Sequence, residues 1–182
     1  MKICFVPIDN RPVCYSLAKD IAAIDEDIEL LTPPREFLGD LTKSARVNEI
    51  LDWLENIPAC DAMVLSLDTI AYGGLIPSRR SPDSLEEIKA RLNRLKPLLK
   101  NKKVYAFSSI MRISNNNYNE EEKEYWKDWG KKIFEYSYSG VNEGIPRAIL
   151  DDYLATRKRN FEINKTYLDW GLSLIHISEP TR

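Results

Sequence analysis

Four short apolar runs alternate along the chain with longer segments whose apolar residues recur at helical spacing. The first run, Ile3 to Ile8, is closed by Asp9-Asn10-Arg11-Pro12. The second, Ile28 to Leu31, stops at Thr32-Pro33-Pro34, because proline cannot donate to a ladder and keeps its predecessor out of the helical region. The third, Ala62 to Leu67, ends at Asp68, and the fourth, Val104 to Phe107, runs into Ser108-Ser109-Ile110-Met111-Arg112. Short runs that are apolar on both sides suit strands covered on both faces.

The segments between them predict helices. Tyr15 to Ile24 places Leu17, Ile21 and Ile24 on one face, and Lys43 to Asn56 places Val47, Ile50, Leu51 and Leu54 in a stripe that Thr42 or Ser44 would cap. Ser81-Pro82-Asp83-Ser84 opens a helix whose apolar face is Leu85, Ile88, Leu92, Leu95 and Leu99. Glu120 to Tyr136 predicts a helix with acidic residues at its N-terminal end, where they suit the dipole, and a last helix runs from about Pro146 to Trp170. Alternating strands and helices imply a parallel α/β sheet with right-handed crossovers. The expected architecture is a partial β/α barrel, with an open Rossmann-like sheet as the alternative; there is no internal repeat.

Charge narrows the function classes. The formal net charge of −2 over 182 residues argues against a nucleic-acid footprint, which needs a basic excess. Cys4, Cys14 and Cys60 are odd in number and lack metal or redox spacing; Cys4 and Cys60 read as buried thiols in a reducing compartment. No secretory leader or membrane-length run is present, so a soluble cytoplasmic protein is expected. The end of the chain departs from all of this. Leu172 to Arg182 (LSLIHISEPTR) resembles, residue by residue, the translation of a transposase sequencing adapter. Residues 1–171 then form the N-terminal part of one α/β domain, 172–182 are an artefact, and the single histidine, His176, belongs to the adapter. The sequence does not set the oligomeric state.

Chemistry collects where parallel strands end. Each strand exit is polar, with Asp9, Asn10 and Arg11 at the first, Asp68 at the third, and Arg112 after the fourth. Loop Asp, Asn and Arg also serve as ordinary turn residues, but their convergence on one edge favours a site for a small hydroxyl-rich or anionic molecule. Tyr72-Gly73-Gly74-Leu75 lacks the pattern of a dinucleotide fingerprint or a P-loop. It reads as a tight turn that sets Tyr72 and Arg79 in the mouth, or as a turn and nothing more. No metal and no cofactor is expected from these residues, and no membrane or nucleic-acid partner. Asp151-Asp152 diverges on a helix. Tyr125, Trp129 and Phe134 read as a packed face, with a sugar-stacking platform that also draws on Trp126 and Tyr136 as the less favoured reading. Arg157-Lys158-Arg159 reads as a solvent-facing turn, with Arg157 and Asn160 within reach of a site.

Pro7-Ile8-Asp9-Asn10-Arg11-Pro12, then Asp68-x-x-x-Tyr72-Gly73-Gly74-Leu75-x-x-Ser78-Arg79, together with Arg157 to Asn164 (RKRNFEIN), resemble the bacterial family called domain of unknown function 4127. The resemblance spans Met1 to Gly171 and implies a longer parent chain with further strand-end carboxylates, but no reaction. The residues point to a hydrolase-like enzyme acting on a small polar substrate, with carbohydrate as the candidate class. Asp9 and Asp68 are the candidate catalytic carboxylates, and Asn10, Arg11, Tyr72, Gly73, Gly74, Arg79 and Arg112 the substrate contacts. Two carboxylates divide acid and base work when their surroundings separate their proton affinities. In glycosidic chemistry a gap of roughly 5–5.5 Å would mean retention, and a wider one inversion. The alternative is a non-catalytic ligand-binding or regulatory module.

Overall fold

A computed structural model describes residues 1–174, with side chains described through residue 171; residues 175–182, most of the adapter-like tail, lie outside the described residues. The chain runs β1 (Lys2–Val6), α1 (Ser16–Ala22), β2 (Glu29–Leu31), a 3-10 turn (Arg35–Phe37), α2 (Val47–Asn56), β3 (Ala62–Ser66), α3 (Leu67–Tyr72), α4 (Pro77–Arg80), α5 (Leu85–Leu98), β4 (Lys103–Phe107), α6 (Trp126–Ser139) and α7 (Arg147–Leu174). All four strands are parallel, in the order β2-β1-β3-β4. That order agrees with the open-sheet reading, since β1 neighbours both β2 and β3, whereas strands around a β/α barrel follow one another in sequence.

One face of the sheet is packed. Cys4, Val6, Met63 and Leu65 meet the stripe Val47, Ile50, Leu51 and Leu54 of α2 and Ile88, Leu92 and Leu95 of α5. Ile163 and Trp170 of α7 join the same core. Each fully buried aliphatic side chain here contributes about 1.5–3 kcal/mol. Ser84 caps α5 through a capping box with Glu87, so Pro82 precedes the helix instead of standing in its first turn. A second cluster, Trp126, Ile133, Ile145, Leu150 and Tyr153, joins α6 to α7.

The other face is open. Phe5 and Val64 are half-buried and their in-register neighbour Tyr105 is 53% exposed, with Phe107 at 45%. Helix α1 packs beside β2 and buries none of its residues, leaving Leu17, Ile21 and Ile24 exposed rather than in a core. The expectation of strands covered on both faces therefore holds for only one. Among the described residues no helix is long and apolar enough to cross a membrane.

Three local expectations are corrected. The N-cap of α2 is Arg46, with no side-chain cap from Thr42 or Ser44. Helix α6 starts at Trp126 rather than Glu120, because Glu121 and Glu122 are drawn into ion pairs with arginines. Its buried face is Trp126, Gly130 and Ile133, with Tyr125 and Trp129 at the margin.

Candidate active site

The sheet order reverses between β1 and β3: β1 leads leftward to β2, and the chain then crosses to β3 and β4 on the other side. A crevice opens at such a point beyond the strand ends, because the two connections depart to opposite faces. Asp9 follows β1 and Asp68 follows β3, so the two carboxylates lie just beyond the ends of adjacent paired strands.

Asp68 sits in the first turn of α3, which begins without a loop after β3. Ser66 caps that helix by accepting from the Thr69 backbone N–H. The Thr69 hydroxyl reaches the carbonyls of Pro7 (2.9 Å) and Ile8 (3.0 Å), fastening the β1 exit against α3. Gly73 ends the helix in the left-handed region, at φ 86°, where its Cα faces Ser44 and Ala45 with no room for a Cβ. The sequence reading missed α3 because a six-residue helix inside an apolar stretch shows no periodicity of its own.

The two carboxylates live in opposite surroundings. Asp9, 5% exposed, accepts from the Arg11 backbone N–H at 3.0 Å and from Arg11 Nε at 2.8 Å, with Arg11 Nη2 at 2.7 Å. Burial alone pushes its proton affinity up, but the hydrogen bonds and charge of Arg11 outweigh it and hold the carboxyl below its ordinary range. Asp68, 1% exposed, has neutral partners: the Ser109 backbone N–H donates to Oδ2 at 2.9 Å, and Ser108 Oγ lies 3.4 Å from Oδ1. Here burial dominates the serine hydrogen bonds and pushes the carboxyl above its ordinary range.

The remaining candidates divide. Arg11 and Arg112 keep exposed guanidinium groups, with Arg112 bonded to Glu121 at 2.5 Å. Asn10 is half-buried, and its carbonyl accepts from Arg35 Nε and Nη2 at 3.1 and 2.9 Å. Tyr72 and Arg79 are both buried, and Tyr72 lines the larger of two clefts nearby. Tyr72 is 2% exposed, and its ring lies under the Arg159 guanidinium at 5.4 Å. Arg79 is 4% exposed and pairs with Glu122 at 2.6 Å and Glu121 at 3.2 Å. Gly73 and Gly74 are buried in the turn between α3 and α4.

Helix α7 supplies contacts that the sequence reading undervalued. Arg159 is not a solvent-facing residue: it donates to the carbonyls of Ser78, Ser81 and Asp83 at 2.8 Å each. Buried Asn160 also donates to Ser78, and Arg157 to the Met111 carbonyl. Asn164 donates to the Ser109 carbonyl, and Tyr167 to Leu67 beside Asp68. The reach of Arg157 and Asn160 and the family segment RKRNFEIN hinted at this brace, whereas helical charge patterning reads Arg159 as surface. Asp151 and Asp152 do diverge, the first to Arg147 and the second to Lys123 and Tyr125.

Two clefts border the region. One of about 500 Å³ is lined by Arg46, Arg80, Asp83 and Arg91 among others, and one of about 360 Å³ by Arg112, Tyr118 and Glu121. Neither includes Asp9 or Asp68. Among the described residues no group of histidine, cysteine or carboxylate side chains is gathered as a metal site. No curated protein and no solved structure matches the chain. A family model described as "Protein of unknown function (DUF4127)" matches residues 3–172, and the chain belongs to that family.

Proposed function

We propose that this protein is a hydrolase-like enzyme acting on a small polar substrate of carbohydrate class, with Asp68 as the general acid and Asp9 as the charged carboxylate. One observation carries the reading: two carboxylates at adjacent strand exits, beside the reversal of the sheet order, have environments that shift their proton affinities in opposite directions. Such a separation lets one group hold a proton while the other stays ionised at the same pH. Arg11 and Arg112 present donors to substrate hydroxyls or an anionic substituent. Tyr72, Gly73, Gly74 and Arg79 support this edge from within, by fixing the turn that follows α3.

The test is a thermal-shift screen of the protein against sugars and sugar phosphates, followed by turnover assays on every stabilising compound. Asp68→Asn is expected to lower turnover by about 10²–10⁴-fold, the usual worth of a positioned acid, while the stabilising compound still binds. A second reading, a non-catalytic binding module, is favoured by the engagement of both Asp9 oxygens with Arg11. Stabilisation without turnover, unchanged in Asp68→Asn, would establish that reading and sink the enzyme.

A further inference from the structure

The Ser108 hydroxyl stands between two acceptor oxygens and has one proton to give. Ser108 Oγ lies 3.4 Å from Asp68 Oδ1 and 3.4 Å from Asn164 Oδ1. A hydroxyl carries one proton, so it donates to one of the two at a time. The orientation of the Asn164 amide is not arbitrary. Its Nδ2 donates to the Ser109 carbonyl at 3.3 Å, which turns Oδ1 toward Ser108.

The two protonation states of Asp68 use this arrangement differently. When Asp68 is charged, the Ser108 hydroxyl donates to it and Oδ1 of the half-buried Asn164 is left to solvent. When Asp68 is neutral, its own O–H donates to Ser108 Oγ and Ser108 donates onward to Asn164 Oδ1 within the protein. The Ser109 N–H donates to Oδ2 in either state. A hydrogen-bond acceptor at the far end of the chain therefore favours the neutral acid.

We propose that Asn164 is a positioning residue that keeps a proton on Asp68 by accepting the end of a chain that runs through the Ser108 hydroxyl. Its functional meaning rests on the reading of Asp68 as the acid; its physical content does not. The titratable groups that feel the Asp68 charge are Tyr72, on its own helix, and Tyr167 on α7. Burial holds both phenols above their ordinary range, so they stay neutral while Asp68 titrates. The Arg159 guanidinium, over the Tyr72 ring, is the charged group of this corner and acts through Tyr72.

The experiment follows the Asp68 carboxyl carbon by NMR across pH in the full chain and in Asn164→Ala, Ser108→Ala and the double variant. Asn164→Ala is expected to weaken proton binding at Asp68 by about three- to tenfold, the worth of one hydrogen bond. It should have no further effect once Ser108 is alanine. Asn164→Gln, which retains a neutral acceptor oxygen, should hold the proton more tightly than Asn164→Ala. An unchanged or tightened proton in Asn164→Ala, or the same weakening in the Ser108→Ala background, overturns the proposal. If Asn164→Ala does not fold, Asn164→Leu preserves its volume and gives the same readings. The titration needs no substrate, so failure to find turnover sinks the enzyme reading alone, and an unmoved titration sinks this one alone.

Discussion

The exits of β1 and β3 place the same residue type on neighbouring strands and treat it in opposite ways. At the β1 exit, Asp9 shares a corner with one guanidinium that is itself 43% exposed. At the β3 exit, Asp68 is sealed among neutral donors under α7. Position along a sheet does not set the chemistry of a carboxylate; what covers it does. The Asp9 carboxylate is held by one side chain from its own loop, whereas Asp68 is braced by α3, by the turn at Gly73 and by residues more than ninety positions away on α7. The first should tolerate change and the second should not.

The largest effect is expected behind β3. Arg79 and Glu122 are both almost fully buried and paired at 2.6 Å, so Glu122→Ala leaves a buried cation with only the half-exposed Glu121. Breaking such a pair costs about 3–5 kcal/mol, against at most about 1 kcal/mol for Arg11→Ala at the open corner. Urea unfolding measures both, and similar losses would erase the contrast. Gly73→Ala comes next. A Cβ there would lie 2.0 Å from Ser44 Oγ on a backbone at φ 86°, so strain and displacement of the Ser44 loop should cost about 1–3 kcal/mol. Gly140, also left-handed but with nothing within 4 Å of its Cβ position, is the control; Gly140→Ala should lose only about 1 kcal/mol. Equal losses at the two glycines would mean that the turn is not pinned.

The contrast between the two exits also explains what was legible in the sequence. The strand runs, the α2 and α5 stripes and the polar residues at each exit announce themselves, since burial on one face writes a period and strand ends write a composition. Asp9 and Asp68 were visible for that reason. The opposite environments were not, because they depend on partners such as Ser108, Ser109 and Asn164 that meet only after the chain crosses the sheet. Arg79 and Arg159 illustrate the same limit. Arg79 reads in sequence as a substrate contact and Arg159 as surface, and only the fold reveals the glutamate and the carbonyls that hold them. The apolar face of α1 marks the converse case, a correct period whose partner surface is missing among the described residues.

The smallest effects test the comparison most directly, because they differ in sign. The folded-state proton affinity of Asp9 is lowered, so its ion pair contributes stability above the unfolded value of about 4. That stability is lost as pH falls through the folded value. Asp9→Asn should therefore cost about 1 kcal/mol at neutral pH and nearly nothing in acid. The affinity of Asp68 is raised, so the folded protein binds a proton that the unfolded chain has released. Stability then declines as pH rises from about 4 through the folded value. Asp68→Asn keeps an acceptor for the Ser109 N–H and turns a donor toward Ser108 without charge. It should remove that decline and raise neutral-pH stability by up to about 1 kcal/mol. Denaturant midpoints of the two variants and the unsubstituted protein, taken from pH 3 to pH 8, would show the curves diverging on opposite sides. Two variants that shift stability in the same direction would mean that the surroundings of the two carboxylates are alike in their effect, and the acid–base division would lose its foundation.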